Sequence, residues 1–355
     1  MKVRPSVAER HVPWGRVAFG VTFAAVGTTV AAFGAREAGA GYVIAFVRPR
    51  RTETSQKETI FPISKDQLRD GALFVSIGHS MLVPDGKTDP TEGTHRKNTV
   101  DDYLKQKLQA RFPDIHVDAQ NFAVVGSKNG QLLHQLQTNE ELRNLLITTP
   151  GFVNVINYIG ENDMQYMLTS PRALRRLNRL RNLRQMNIPR RVITLVRDGL
   201  PTAFTFKRVG ESLKKSQLQI FQELARLNHL RTDNGNPPLI CTVLEGVDFG
   251  EAPRITAWPP EGVKDVEPTV IPLDSAEGKQ AGTMVANTCR RARLHARARH
   301  MKRNVMQIIP VSVRGVEQFF NPEGDQHVGP PGEEFMADRV FHALGFDIPN
   351  QILAA

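Results

Sequence analysis

The sequence predicts an open, mainly parallel α/β sheet over residues 71–355. Apolar runs of strand length alternate there with helix-length amphipathic segments. The run Phe152–Ile159 is apolar apart from two Asn, as a strand covered on both faces should be. Composition allows such a fold. A chain of 355 residues, 40% apolar and 23% charged, is neither wholly disordered nor collagen-like, and has room for one large or two small domains.

The sheet is preceded by a segment of another kind. Lys2, Arg4, Arg10 and Arg16 come before Val17–Ala35, a charge-free stretch of 19 residues. At 1.5 Å per residue it just reaches across a hydrocarbon core of ~30 Å. Its three Gly and three Thr make it weakly apolar, and Ala38-Gly39-Ala40 offers a small-residue cleavage site. Residues 1–40 are therefore expected to be a signal-anchor or a cleaved signal peptide. Either would place the remainder outside the cytosol, periplasmic or extracellular. Residues 41–70, with Arg48, Arg50, Arg51 and a Thr/Ser/Gln run, read as a linker. The net charge of +10 is uneven: nine Lys or Arg face four acids within residues 1–58. Cys241 and Cys289 are too few for a disulfide framework and lack zinc-site spacing; export would allow them to pair.

Within the sheet region, Leu73–Ile77 is the expected first strand and Thr99–Phe112 a helix, with Val100, Tyr103, Leu104 and Leu108 on one face. Ile115–Val125 follows as the second strand. Thr138-Asn139-Glu140-Glu141 has the form of a capping box opening a short helix that ends before Pro150. Phe152–Ile159 is the third strand, Leu239–Leu244 the fourth and Val305–Val313 the fifth. Helices Ser212–Leu230 and about 280–303 precede the last two. Val192–Val196 and Thr202–Phe206 flank Asp198-Gly199, which predicts a β-hairpin. Residues 165–209 would then be an insertion of one arginine-rich helix plus that hairpin.

Ligands of open α/β sheets bind beyond the carboxyl ends of the strands, so the strand ends decide the chemistry. The first strand ends in Gly78-His79-Ser80-Met81, the second in Asn121-Phe122-Ala123-Val124-Val125-Gly126 and the third in Gly160-Glu161-Asn162-Asp163. After the fifth comes Asn321-Pro322-Glu323-Gly324-Asp325-Gln326-His327. In this order, and each at a strand end, the four blocks resemble those of the SGNH (GDSL) hydrolase family, over about residues 71–345. The resemblance implies a three-layer α/β/α sandwich, flavodoxin-like, with a mainly parallel five-stranded sheet. It implies Ser80 as nucleophile, His327 as base and then acid, and Asp325 as the carboxylate orienting His327. The oxyanion would be held by the backbone N–H groups of Ser80 and Gly126 and by the Asn162 side chain.

Two positions depart from the family pattern. His79 stands where the family usually has Asp, and Gly324 where it usually has the triad carboxylate. Asp325 lies two residues before His327, as in some cell-envelope O-acetyltransferase relatives, and Glu323 lies four before. His79 is too close in sequence to Ser80 to act as its base. His79, Asp85, Asp89, His95, Asp163 and His327 match no tight metal motif, and Gly126-Ser127-Lys128-Asn129-Gly130 lacks phosphate-loop spacing, so no metal or cofactor is expected.

The arginines remain. After Ser170-Pro171, Leu174, Leu177, Leu180, Leu183 and Met186 recur every third residue, with Arg172, Arg175, Arg176, Arg179, Arg181 and Arg184 between them. This is either a leucine stripe with a solvated charged face or a contact surface for anionic lipid or polymer, with Arg175, Arg176 and Arg179 as the candidates. Arg290–Arg303 carries the same two readings. No nucleic-acid-binding motif accompanies them. The expected activity is ester hydrolysis on an O-acylated carbohydrate or lipid. The alternatives are O-acyl transfer with the same triad, and a catalytically silent domain that binds an anionic polymer.

Overall fold

A computed structural model describes residues 60–83, 98–165, 187–247, 249, 252, 254–257, 269–272, 276–301, 306–320 and 327–347. They belong to one unit, Arg51–Ala355. In chain order the elements are β1 (Ala72–Gly78), α1 (Val100–Arg111), β2 (Val117–Asn121), α2 (Asn129–Thr138), α3 (Glu140–Thr148), β3 (Phe152–Tyr158) and the short α4 (Asn162–Gln165). Then follow α5 (Ile188–Thr194), a π-helical segment Leu195–Gly199, α6 (Leu200–Asp233), β4 (Ile240–Glu245), β5 (Arg254–Ala257), β6 (Thr269–Pro272), α7 (Ala276–Met301), β7 (Gln307–Ser312) and α8 (Pro330–Ala343).

Five strands form one sheet in the order β2-β1-β3-β4-β7, and every pairing in it is parallel. Counting only these strands, the order is the flavodoxin-like 2-1-3-4-5, whose topological switch point lies between β1 and β3. Alternate β1 residues face opposite layers. Leu73, Val75 and Ile77 join Val153, Val155, Cys241, Val243 and Ile308 in a core closed by Leu132 and Leu136 of α2, Leu142 and Leu146 of α3, and Ile220, Phe221, Leu224 and Leu227 of α6. On the other face Phe74 meets Phe152 edge to face at 6.2 Å, and Phe152 meets Phe346, just beyond α8, at 6.0 Å. There α1 packs against α8. Helices on both faces of a parallel sheet give the α/β sandwich.

The structure corrects part of the sequence reading. Residues 192–206 are helical, not a hairpin: α5, the π segment and α6 run on without a break from Ile188 to Asp233. The Asp198-Gly199 pair sits in that π segment, where an i→i+5 bulge accommodates it without a chain reversal. The start signal was present in the sequence. Asn187 Oδ1 accepts the Arg190 N–H at 3.1 Å, and Pro189 occupies the first turn. The second strand ends at Asn121 instead of Val125. A helix, α2, precedes α3, and the cap of α3 is Asn139, whose Oδ1 accepts the Leu142 N–H at 3.0 Å. An antiparallel pair, β5 with β6, was not expected at all.

Cys241 and Cys289 are both buried free thiols. Among the described residues no helix is long and apolar enough to cross a membrane. The segment 1–40, most of the linker, and Arg175, Arg176 and Arg179 lie outside the described residues.

Candidate active site

β1 ends in a residue that must be glycine. Gly78 has φ +140°, and a Cβ there would collide with the Tyr158 carbonyl on β3. The chain then turns through His79 into a short 3-10 turn, Ser80–Leu82. Gly126 closes a turn in which the Ser127 N–H donates to the Val124 carbonyl at 3.1 Å. Its φ of +74° at the third position is the requirement of a type II turn. The three strand ends are tied together. Val124 N–H donates to Gly78 O at 3.0 Å, His79 N–H to Tyr158 O at 3.1 Å, and Asn162 Nδ2 to Ser127 O at 3.0 Å.

His327 comes from the far end of the chain. An antiparallel bridge between Phe320 and Val328 holds one side of it. On the other side Pro330 and Pro331 start α8, and Gly332 packs so closely on Val328 that a Cβ would lie 2.5 Å from that side chain. The Val100 N–H at the start of α1 donates to Glu333 Oε2 at 3.1 Å, so α8 is anchored through a carboxylate at a helix N-terminus. His327 Nε2 thereby comes to 2.6 Å from Ser80 Oγ across 247 residues of sequence.

Both side chains are nearly enclosed, Ser80 at 1% and His327 at 6% exposure. The backbone N–H groups of Ser80 and Gly126 donate to no group among the described residues. Asn162 uses one side-chain N–H on Ser127, and its second has no partner among the described residues. Asp325 and Glu323 lie outside the described residues, as does all of 321–326. Among the described residues no three His, Cys, Asp or Glu side chains group as metal ligands do.

Several residues have supporting roles that the sequence alone did not assign. Asp101 is buried and takes hydrogen bonds on Oδ1 from Ser76 Oγ at 2.6 Å and Asn121 Nδ2 at 3.0 Å, while Asn121 Nδ2 also donates to the Leu82 carbonyl. Burial pushes the Asp101 carboxyl up to about 6 despite the Ser76 hydrogen bond. Asp163 accepts the Asn129 N–H at the start of α2. Glu161 forms a buried two-pronged pair with Arg293 of α7, Nη2 to Oε1 at 2.7 Å and Nη1 to Oε2 at 3.1 Å. Burial alone would raise the Glu161 carboxyl, but Arg293 and His79 hold it down at about 2. These roles carried no local sequence signal, since each is set by a contact with another element of the fold.

The sequence matches no protein-family model and no curated protein. Among solved structures the chain is similar to an acetyl xylan esterase from Geobacillus stearothermophilus, at 11% identity and TM-score 0.41, covering 79% of this chain and 99% of the other. It is similar to an extracellular lipase from Streptomyces rimosus, at 13% identity and TM-score 0.41, covering 78% and 99%. A lipase from a goat rumen metagenome gives 12% identity and TM-score 0.44, covering 77% and 97%.

Proposed function

We propose that this protein is a serine esterase of the SGNH type, hydrolysing O-acyl esters on a carbohydrate or a lipid. The observation that carries the reading is the 2.6 Å approach of His327 Nε2 to Ser80 Oγ. It occurs beyond the carboxyl ends of β1 and β3, at the switch point where open α/β sheets bind ligands.

In this reading His327 takes the Ser80 proton as Oγ attacks the acyl carbon. The carbonyl oxygen becomes an oxyanion beside the N–H groups of Ser80 and Gly126 and the Asn162 amide. One such donor is worth ~3 kcal/mol in the transition state, about two powers of ten in rate. Collapse expels the alcohol, which takes the proton from His327. Water, deprotonated by His327, then attacks the acyl carbon, and Ser80 Oγ leaves, taking that proton back from His327 as the acid is released. Asp325 would orient the imidazole. An export segment at residues 1–40 would place this chemistry on the envelope side of a membrane, among O-acylated polymers and lipids.

The test is turnover of p-nitrophenyl esters from acetate to palmitate by the full-length protein and its Ser80→Ala variant. The expected result is hydrolysis by the wild type and a loss of at least about 10³-fold in the variant. Equal turnover by the two would remove Ser80 from the chemistry.

A further inference from the structure

His79, directly before the nucleophile, makes contacts on both ring nitrogens. Its Nδ1 accepts the Met81 N–H at 3.2 Å, and its Nε2 lies 3.2 Å from Glu161 Oε2. A backbone N–H can only donate, so Nδ1 carries the lone pair and the ring proton sits on Nε2, donated to the carboxylate. Glu161 is held in turn by Arg293, which also donates to the Ile159 carbonyl at 2.9 Å. Tyr158 completes the enclosure, with its ring 4.8 Å from the imidazole and 5.1 Å from the Arg293 guanidinium carbon. His79, Glu161 and Arg293 are each no more than 2% exposed.

The first N–H groups of a helical turn have no partner within the turn. Here the two at issue belong to Ser80 and Met81. The imidazole takes the Met81 donor, and the Ser80 donor stays available for an oxyanion. We infer that His79 is a positioning residue: its neutral Nε2–H tautomer, fixed by Glu161 and Arg293, sets the turn that carries Ser80 and aims the Ser80 N–H. The inference rests on the esterase reading.

The charge count explains why an imidazole suits this position. Glu161 and Arg293 neutralise each other, and a neutral ring adds hydrogen bonds without adding charge. A carboxylate at 79 would face Glu161 across the same gap and leave a buried negative charge without a counter-ion. Protonating the ring would cost the Met81 bond and set a cation beside Arg293. Burial, with the nearby charge of Arg293, holds the His79 pKa below its ordinary value despite the pull of Glu161.

The variants His79→Ala, His79→Asn, His79→Asp and His79→Asp/Glu161→Gln test this in the full-length protein, alongside imidazole nitrogen NMR of the wild type. His79→Asn keeps an acceptor near the Nδ1 position. The expected result is a fall in kcat of about 100-fold for His79→Ala with KM unchanged, and recovery to within about 10-fold of wild type in His79→Asn. His79→Asp should be poorer than His79→Asn and improve when Glu161→Gln is added. The spectrum should show His79 as the neutral Nε2–H form at pH 7. A wild-type kcat in His79→Ala, or an Nδ1–H or doubly protonated ring, would overturn the inference. An inactive wild type would instead overturn the esterase reading, so the two failures are distinguishable.

Discussion

At the scale of single residues, the site depends on polar groups buried for a structural purpose. Asp101 shows how such a group can be tested. Its folded pKa of about 6 exceeds its ordinary 3.8, so the folded state binds the proton more tightly than the unfolded chain does. The stability it contributes is fully present below about 3.8 and is lost as pH rises through about 6, a change of ~3 kcal/mol. Asp101→Asn keeps the Oδ1 acceptor for Ser76 and Asn121 and removes the charge. Denaturant titrations should therefore show the variant gaining on the wild type by about 2 kcal/mol between pH 4 and pH 7. A gap that does not change with pH would contradict the assignment. Glu161 has the opposite sign: held at about 2, it contributes stability above its ordinary 4.5 that is lost as pH falls toward 2.

At the scale of elements, what the sequence displayed and what it hid have physical causes. β1, β3 and β4 were legible because central parallel strands are apolar on both faces, β7, at the sheet edge, through its own short apolar run, and α7 because its amphipathic run is long. The hairpin expected at 192–206 failed because β-branched and aromatic residues are disfavoured in a helix by no more than ~0.7 kcal/mol each, too little to interrupt a long helical run. Asn187 and Pro189 were the competing signal. Asn187→Ala should lower stability by about 1 kcal/mol, the usual cost of a lost N-cap, measurable by denaturant titration; no change would argue that α5 starts elsewhere. The arginine-rich stretch 172–184 is a second element-scale question. If Arg175, Arg176 and Arg179 attract an anionic surface, replacing all three by Gln should weaken binding to anionic liposomes at low salt. It should leave turnover of a small neutral ester unchanged. Salt near 0.1 M, where the Debye length is ~10 Å, should weaken wild-type binding in the same way. Equal binding by wild type and variant at low salt would leave a solvated helix face.

At the scale of the whole molecule, the order 2-1-3-4-5 brings the ends of β1 and β3 side by side at the switch point, and α8 returns His327 to them. Ser80, Gly126, Asn162 and His327 could be singled out in the sequence because the four blocks that hold them, taken together and in order, resemble those of the SGNH family. The supporting roles of Asp101, Glu161, Arg293 and Glu333 could not be read there. Each is set by a contact between elements remote in sequence, such as the 233 positions between Val100 and Glu333. The central claim is that these ends assemble a nucleophilic serine. The most direct measurement is mass spectrometry of the full-length protein quenched in acid during turnover of an activated acetyl ester. The account predicts one acetyl group on the peptide containing Ser80, absent in Ser80→Ala and accumulating no faster than background in His327→Ala. Turnover with the acyl group on another residue, or with equal acylation in His327→Ala, would contradict it.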